Sequence, residues 1–151
     1  MNLKILAEGS TKLQRFIKHW GLSILIDDDI LFDTFGQPGY VLKQIKRYHI
    51  DPYKISTIVI SHDDWDHIAG LKDFLELGKV RSLYICPNCA PSIKSMIKSY
   101  GVNAIEAYKP TQIRENIFLS GELKGTLRSG VHIPEQYMAI KASAGVVVIT
   151  G

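Results

Sequence analysis

Apolar positions in the first sixty residues come in short runs of strand length. LKILAEG (3–9), LSILIDD (22–28) and ILFDTF (30–35) each read as strands. The Asp27-Asp28-Asp29 cluster separates the second from the third by a hairpin-length gap, which predicts antiparallel pairing there. After Pro38 the rhythm becomes helical: Val41, Leu42, Ile45 and Tyr48 share one face, with Lys43, Gln44, Lys46 and Arg47 on the other. TIVIS (57–61) is apolar on both faces, the pattern of a buried strand. Leu71, Phe74, Leu75 and Leu77 predict a short helix ended by Gly78, and SLYIC (82–86) is another strand. Pro91 suits a helix start, and Ile93, Met96, Ile97 and Tyr100 recur at helical spacing before Gly101. Beyond Pro110 the character shifts to β: NIFLSGEL (116–123), QYMAIKA (136–142) and GVVVIT (145–150), the last two joined through Ser143-Ala144-Gly145. Gly121 to Pro134 carries three of the twelve glycines and reads as an excursion or mobile loop.

The order β-β-β-α-β-α-β-α followed by further strands predicts a layered α/β arrangement with a mixed sheet. At 151 residues the chain is one domain or part of one, and no repeat or linker divides it. No apolar run approaches the roughly 20 residues that cross a membrane. The start MNLKILAEGS has none of the marks of a secretory signal, so a cytoplasmic location is expected. The net charge of +3 comes from Lys and Arg scattered over helix faces, which reads as solvated surface and not as a nucleic-acid patch. The two cysteines form CPNC (Cys86, Cys89). A structural zinc needs about four ligands and there is no second pair, so the reading is a turn at a strand end, with a redox-active pair as the alternative.

Directly after TIVIS, the segment SHDDWDH sets two histidines and three aspartates into the six residues from His62 to His67. In layered α/β proteins ligand sites lie beyond the carboxyl ends of strands, so His62 emerges at such an edge. Imidazole nitrogen and carboxylate oxygen are ligands for first-row divalent metals. Carboxylates crowded together without a cation raise one another's pKa, and a metal removes that conflict. The competing structural reading is an Asx-rich turn that caps a helix near Ile68, with Asp66 at the N-cap and His67 incidental.

SHDDWDH followed by IAGL resembles the H-x-H-x-D-H signature of the metallo-β-lactamase fold superfamily. HWGLSILIDDDILFDTFG (19–36) is similar to the paired strands and the Leu-Phe-Asp-Thr-Gly element that carry that superfamily's first aspartate, here Asp33. ENIFLSGEL and EQYMAIKASAGVVVITG are similar to one branch, stand-alone metal-dependent hydrolases related to dihydropterin ribofuranosylaminobenzene-phosphate synthases. The resemblance implies an α/β fold, a metallo-β-lactamase-like αββα sandwich of which residues 1–151 give the N-terminal half plus part of the second sheet. It implies that His62 and Asp64 help bind a first metal, Asp66 and His67 a second, and that Asp33 orients the loop without being a ligand. Asp66 would also position the attacking water, whose pKa the metals lower, for a small-molecule ester, lactone, amide or phosphate.

Two departures from the family pattern matter. Position 64 is Asp where most of the superfamily has His, and that harder ligand favours iron or manganese, with zinc still open, for the one or two divalent ions. The sequence also stops at Gly151, where the branch runs on into further ligands, so an incomplete domain is expected, with little activity alone. His19 and His49 read as surface residues, and His132 in the excursion is one further candidate imidazole. An uncovered sheet face would call for a homo-oligomer or a complementary C-terminal chain. The alternatives to a metal-dependent hydrolase are a non-catalytic remnant or assembly subunit and, with less support, a nuclease.

Overall fold

The computed structural model describes residues 1–9, 20–126 and 130–151; His19 lies outside them, and of His132 only the backbone is described. Six strands form one mixed sheet in sequential order: β1 (Leu3–Glu8), β2 (Leu22–Ile26), β3 (Ile30–Phe32), β4 (Thr57–Val59), β5 (Ser82–Ile85) and β6 (Ala104–Glu106). β1, β2 and β3 pair antiparallel, and the Asp27–Asp29 turn that joins β2 to β3 has Asp27 and Asp28 in left-handed backbone at φ 49° and 66°. β3 through β6 run parallel, joined by crossovers that carry the helices α1 (Tyr40–Arg47), α2 (Trp65–Ile68), α3 (Leu71–Glu76) and α4 (Pro91–Ser99). A second, antiparallel sheet has the order β12 (Gly145–Ile149), β11 (Met138–Ala142), β8 (Ile117–Leu119), β7 (Thr111–Arg114).

Period-two alternation in the central strands divides the core into two layers. Leu31, Ile58 and Leu83 point to the helices, where they pack with Val41, Ile45, Leu71, Phe74 and Ile97. Ile30, Phe32 and Val59 point the other way, against Ile117, Leu119, Met138 and Ile140 of the second sheet. The order is helices, sheet, sheet. On the far face of the second sheet Phe118, Val146 and Val148 are 37%, 64% and 55% exposed, so no further layer covers them among the described residues.

Two expectations need correction. In α1 Gln44 is buried and Tyr48 exposed, the reverse of the polarity-based assignment, because the helix leans its Val41–Gln44–Ile45 edge on the sheet. Residues 121–134 are not a loop throughout: β9 (Leu123–Thr126) and β10 (His132–Glu135) form an antiparallel ribbon, with 127–129 outside the described residues. The strands β6 and β7 also escape the sequence pattern, being short and poor in apolar alternation. No helix among the described residues is long and apolar enough to cross a membrane.

Candidate metal centre

Past the carboxyl end of the buried strand β4 the chain continues through Ile60 and Ser61 to His62. There the chain turns into α2, whose N-cap position is Asp64. The Asp64 side chain makes no capping hydrogen bond, and Asp66 lies within the first turn instead of at the N-cap. The carboxylates are therefore not spent on the helix terminus, as the Asx-turn reading requires. His62, Asp66 and His67 each bring a ligand atom within 4.8 Å of the others. The two imidazole rings stand 4.1 Å apart at 44°. Asp66 Oδ2 is 3.6 Å from His67 Nε2, and Asp64 Oδ2 is 3.7 Å from His62 Nε2 at the half-exposed rim. Both Nε2 atoms thus face carboxylate oxygens. Metal–ligand bonds of about 2.1 Å fill an opening of this size with small side-chain adjustment, so the donor set fits a divalent cation.

Asp33 holds this loop from the position that follows β3. It is fully buried, and its backbone is left-handed at φ 55°. Its carboxylate accepts from Ser61 N–H (2.7 Å, Oδ1) and Ser61 Oγ–H (2.6 Å, Oδ2), and lies 2.7 Å from His67 Nδ1. Thr34 adds two hydrogen bonds to the His67 carbonyl, from N–H at 2.8 Å and Oγ–H at 2.9 Å. Burial alone would lower the His67 pKa, but the Asp33 hydrogen bond and charge, helped by Asp66 and Asp64, hold it above the ordinary value. A metal has to displace that proton, so affinity falls as pH falls. Gly21, at φ 102°, brings its backbone against the Asp66 carbonyl, and Gly70 does the same at the Thr34 carbonyl; a Cβ at either position would collide.

Asp63, the first aspartate of the motif, faces away to the CPNC turn, where it accepts from Ala90 N–H at 2.6 Å. Cys86 donates to the Ser61 carbonyl at 3.4 Å, and both cysteines are free and buried. Burial first, then the charges of Glu122 for Cys86 and Asp63 for Cys89, push both thiols up to about 12. At about pH 8 such a thiol is ionised in only about one molecule in 10⁴, against a few tenths for an ordinary one. Alkylation of the native chain by iodoacetamide is expected to be slower by orders of magnitude than after unfolding. Equal rates in a mass-spectrometric time course would contradict the buried geometry.

His49 is exposed on the turn after α1 at φ 55°, as a surface residue should be. Two residues at the centre carried no signal in the sequence. Ser61 precedes His62 and looks like an ordinary strand end. Gln136, between β10 and β11, is fully buried, donates Nε2–H to the Ile60 carbonyl at 2.8 Å and leaves Oε1 without a partner among the described residues.

The metallo-beta-lactamase superfamily model matches residues 21–134, which takes in Asp33 and the whole His62–His67 loop. The chain belongs to this superfamily. It is 26% identical to the 7,8-dihydropterin-6-methyl-4-(beta-D-ribofuranosyl)-aminobenzene-5'-phosphate synthase of Methanocaldococcus jannaschii, over 72% of this chain and 46% of that protein. The chain therefore spans about half the length of this curated relative. Among solved structures it resembles Tm1679, a metal-dependent hydrolase of the beta-lactamase superfamily (TM-score 0.70, 23% identity, 99% of this chain and 64% of that one). It also resembles Zn(2+)-bound PqqB from Methylobacterium extorquens (TM-score 0.67, 16% identity, 98% and 64%). At these identities the likeness shows the fold alone. Superfamily membership and the His-Asp-His cluster together support binding of a divalent metal.

Proposed function

We propose that this chain carries the metal-binding face of a metal-dependent hydrolase that acts on a small-molecule ester, lactone, amide or phosphate. The observation that supports this most is the convergence of His62, Asp66 and His67 within 4.8 Å at a strand end, with Asp33 anchoring the loop from behind. His62 and Asp64 would hold one ion, and Asp66 and His67 a second. A divalent ion held there would lower the pKa of a water and polarise the substrate oxygen. Asp66, 21% exposed at its side chain, would accept a hydrogen bond from that water and orient it. Asp33 keeps His67 Nδ1 engaged, so that Nε2 stays available on the side of the cluster.

Asp64 favours iron or manganese over zinc. The test is anaerobic reconstitution with each ion, elemental analysis, and hydrolysis of chromogenic esters, lactones and phosphodiesters. At least one ion per chain is expected, with manganese or iron retained in competition, and Asp64→His is expected to shift retention towards zinc. Turnover by this chain alone is expected to be low, because the four side chains named among the described residues leave coordination positions to be filled. A chain that takes up none of the three ions would sink the proposal.

The exposed Phe118, Val146 and Val148 favour a second reading, a subunit that keeps the fold without chemistry and covers this face by pairing with itself or with a complementary chain. A metal-free oligomer in solution would support it, and a metal-loaded monomer would exclude it.

A further inference from the structure

We infer that Ser61 is a positioning residue that fixes the tautomer of His62 and links both imidazoles to the single carboxylate of Asp33, so that both Nε2 atoms face the cluster unprotonated. The inference deepens the metal-site reading above and rests on it for its purpose, though not for its test. Ser61 is fully buried, and its hydroxyl has one proton with two neighbours able to accept it: Asp33 Oδ2 at 2.6 Å and His62 Nδ1 at 2.9 Å. The shorter contact to a carboxylate wins that proton over a neutral ring nitrogen. Only lone pairs then remain towards His62, so His62 Nδ1 has to be the donor and its Nε2 the bare nitrogen.

Gly151 borders the Nδ1 side of His62. It lies so close that a Cβ there would come within 2.9 Å of His62 Nδ1 and collide with Ser61 Oγ. The resulting path runs from His62 Nδ1–H to Ser61 Oγ–H, on to Asp33 Oδ2, and back from His67 Nδ1–H to the same oxygen. The residue that follows β3 thereby orients an imidazole at each end of the loop, directly for His67 and through one hydroxyl for His62.

The test is ¹⁵N NMR of the imidazole nitrogens in the metal-free full chain, well above the ordinary imidazole pKa of about 6.5. The wild-type chain is expected to show pyrrole-type signals for Nδ1 and pyridine-type signals for Nε2 on both His62 and His67. Ser61→Ala should populate the Nε2–H form of His62 and leave His67 unchanged, and Ser61→Thr, which keeps the hydroxyl, should restore the wild-type pattern. The Mn(II) affinity should fall about 10- to 100-fold in Ser61→Ala and stay close to wild type in Ser61→Thr. An Nε2–H tautomer on His62 in the wild-type chain overturns the inference even if Ser61→Ala does not fold. So does a His62 signal that ignores Ser61→Ala. Both expected tautomers in a chain that binds no ion would defeat the functional reading and leave the inference standing.

Discussion

Replacing His62 and His67 together by Ala is expected to bring bound metal, measured by elemental analysis after reconstitution, from at least one ion per chain to background. The two imidazoles supply two of the three donors that converge within 4.8 Å, and the two carboxylates left, Asp66 and the rim residue Asp64, are too few to hold an ion against solvent. The loss of affinity should exceed about 100-fold, since a missing outer-sphere partner alone reaches that scale. The fold should survive with a lowered melting temperature, because His67→Ala takes one partner from the buried Asp33 carboxylate. Both residues sit at the mouth of the strand, outside either hydrophobic cluster, so the near-native circular dichroism of the variant separates loss of ligands from unfolding. Metal content unchanged by the double substitution would show that the ion is held elsewhere.

The second large effect is expected at Asp33, through stability as well as metal. Asp33→Ala leaves the Ser61 amide, the Ser61 hydroxyl and His67 Nδ1 without their shared acceptor in a fully buried position. Removing one partner of a buried charged network costs about 3–5 kcal/mol. For a chain of this size that is a fall of roughly 6–20 °C in melting temperature. Asp33→Asn keeps the shape and one acceptor oxygen, and should lose less. A melting temperature within a degree or so of wild type for Asp33→Ala would mean that the loop is held by other contacts, with Thr34 and its two bonds to the His67 carbonyl the first to examine.

The legible parts of the molecule were those where several residues repeat one message. TIVIS followed by SHDDWDH announces a buried strand and a dense set of ionisable groups at its end, and neither statement depends on distant residues. Asp33 was legible only through resemblance, since a lone aspartate after a strand has many uses; its work depends on Ser61 and His67, 28 and 34 residues further on. Ser61 stayed invisible for the same reason: a serine at a strand end has no local signature of what its hydroxyl will meet. Polarity alone puts Gln44 on the exposed face, whereas the lean of the helix buries it. The β9–β10 ribbon was hidden by its glycines and by strands too polar to alternate.

The parallel pairing of β3 with β4 has a consequence for the order of events in folding. The donors all come from one short loop, yet what aims them arrives from the neighbouring strand across the α1 crossover. Contacts of such sequence separation form slowly, after the entropy of closing the intervening chain has been met. An ion can seed a zinc finger because local turns bring its ligands together. Here the imidazoles gain their orientation only once the central ladder has zipped, so capture of a metal would belong to a late step of assembly, and the sheet would find its register without it.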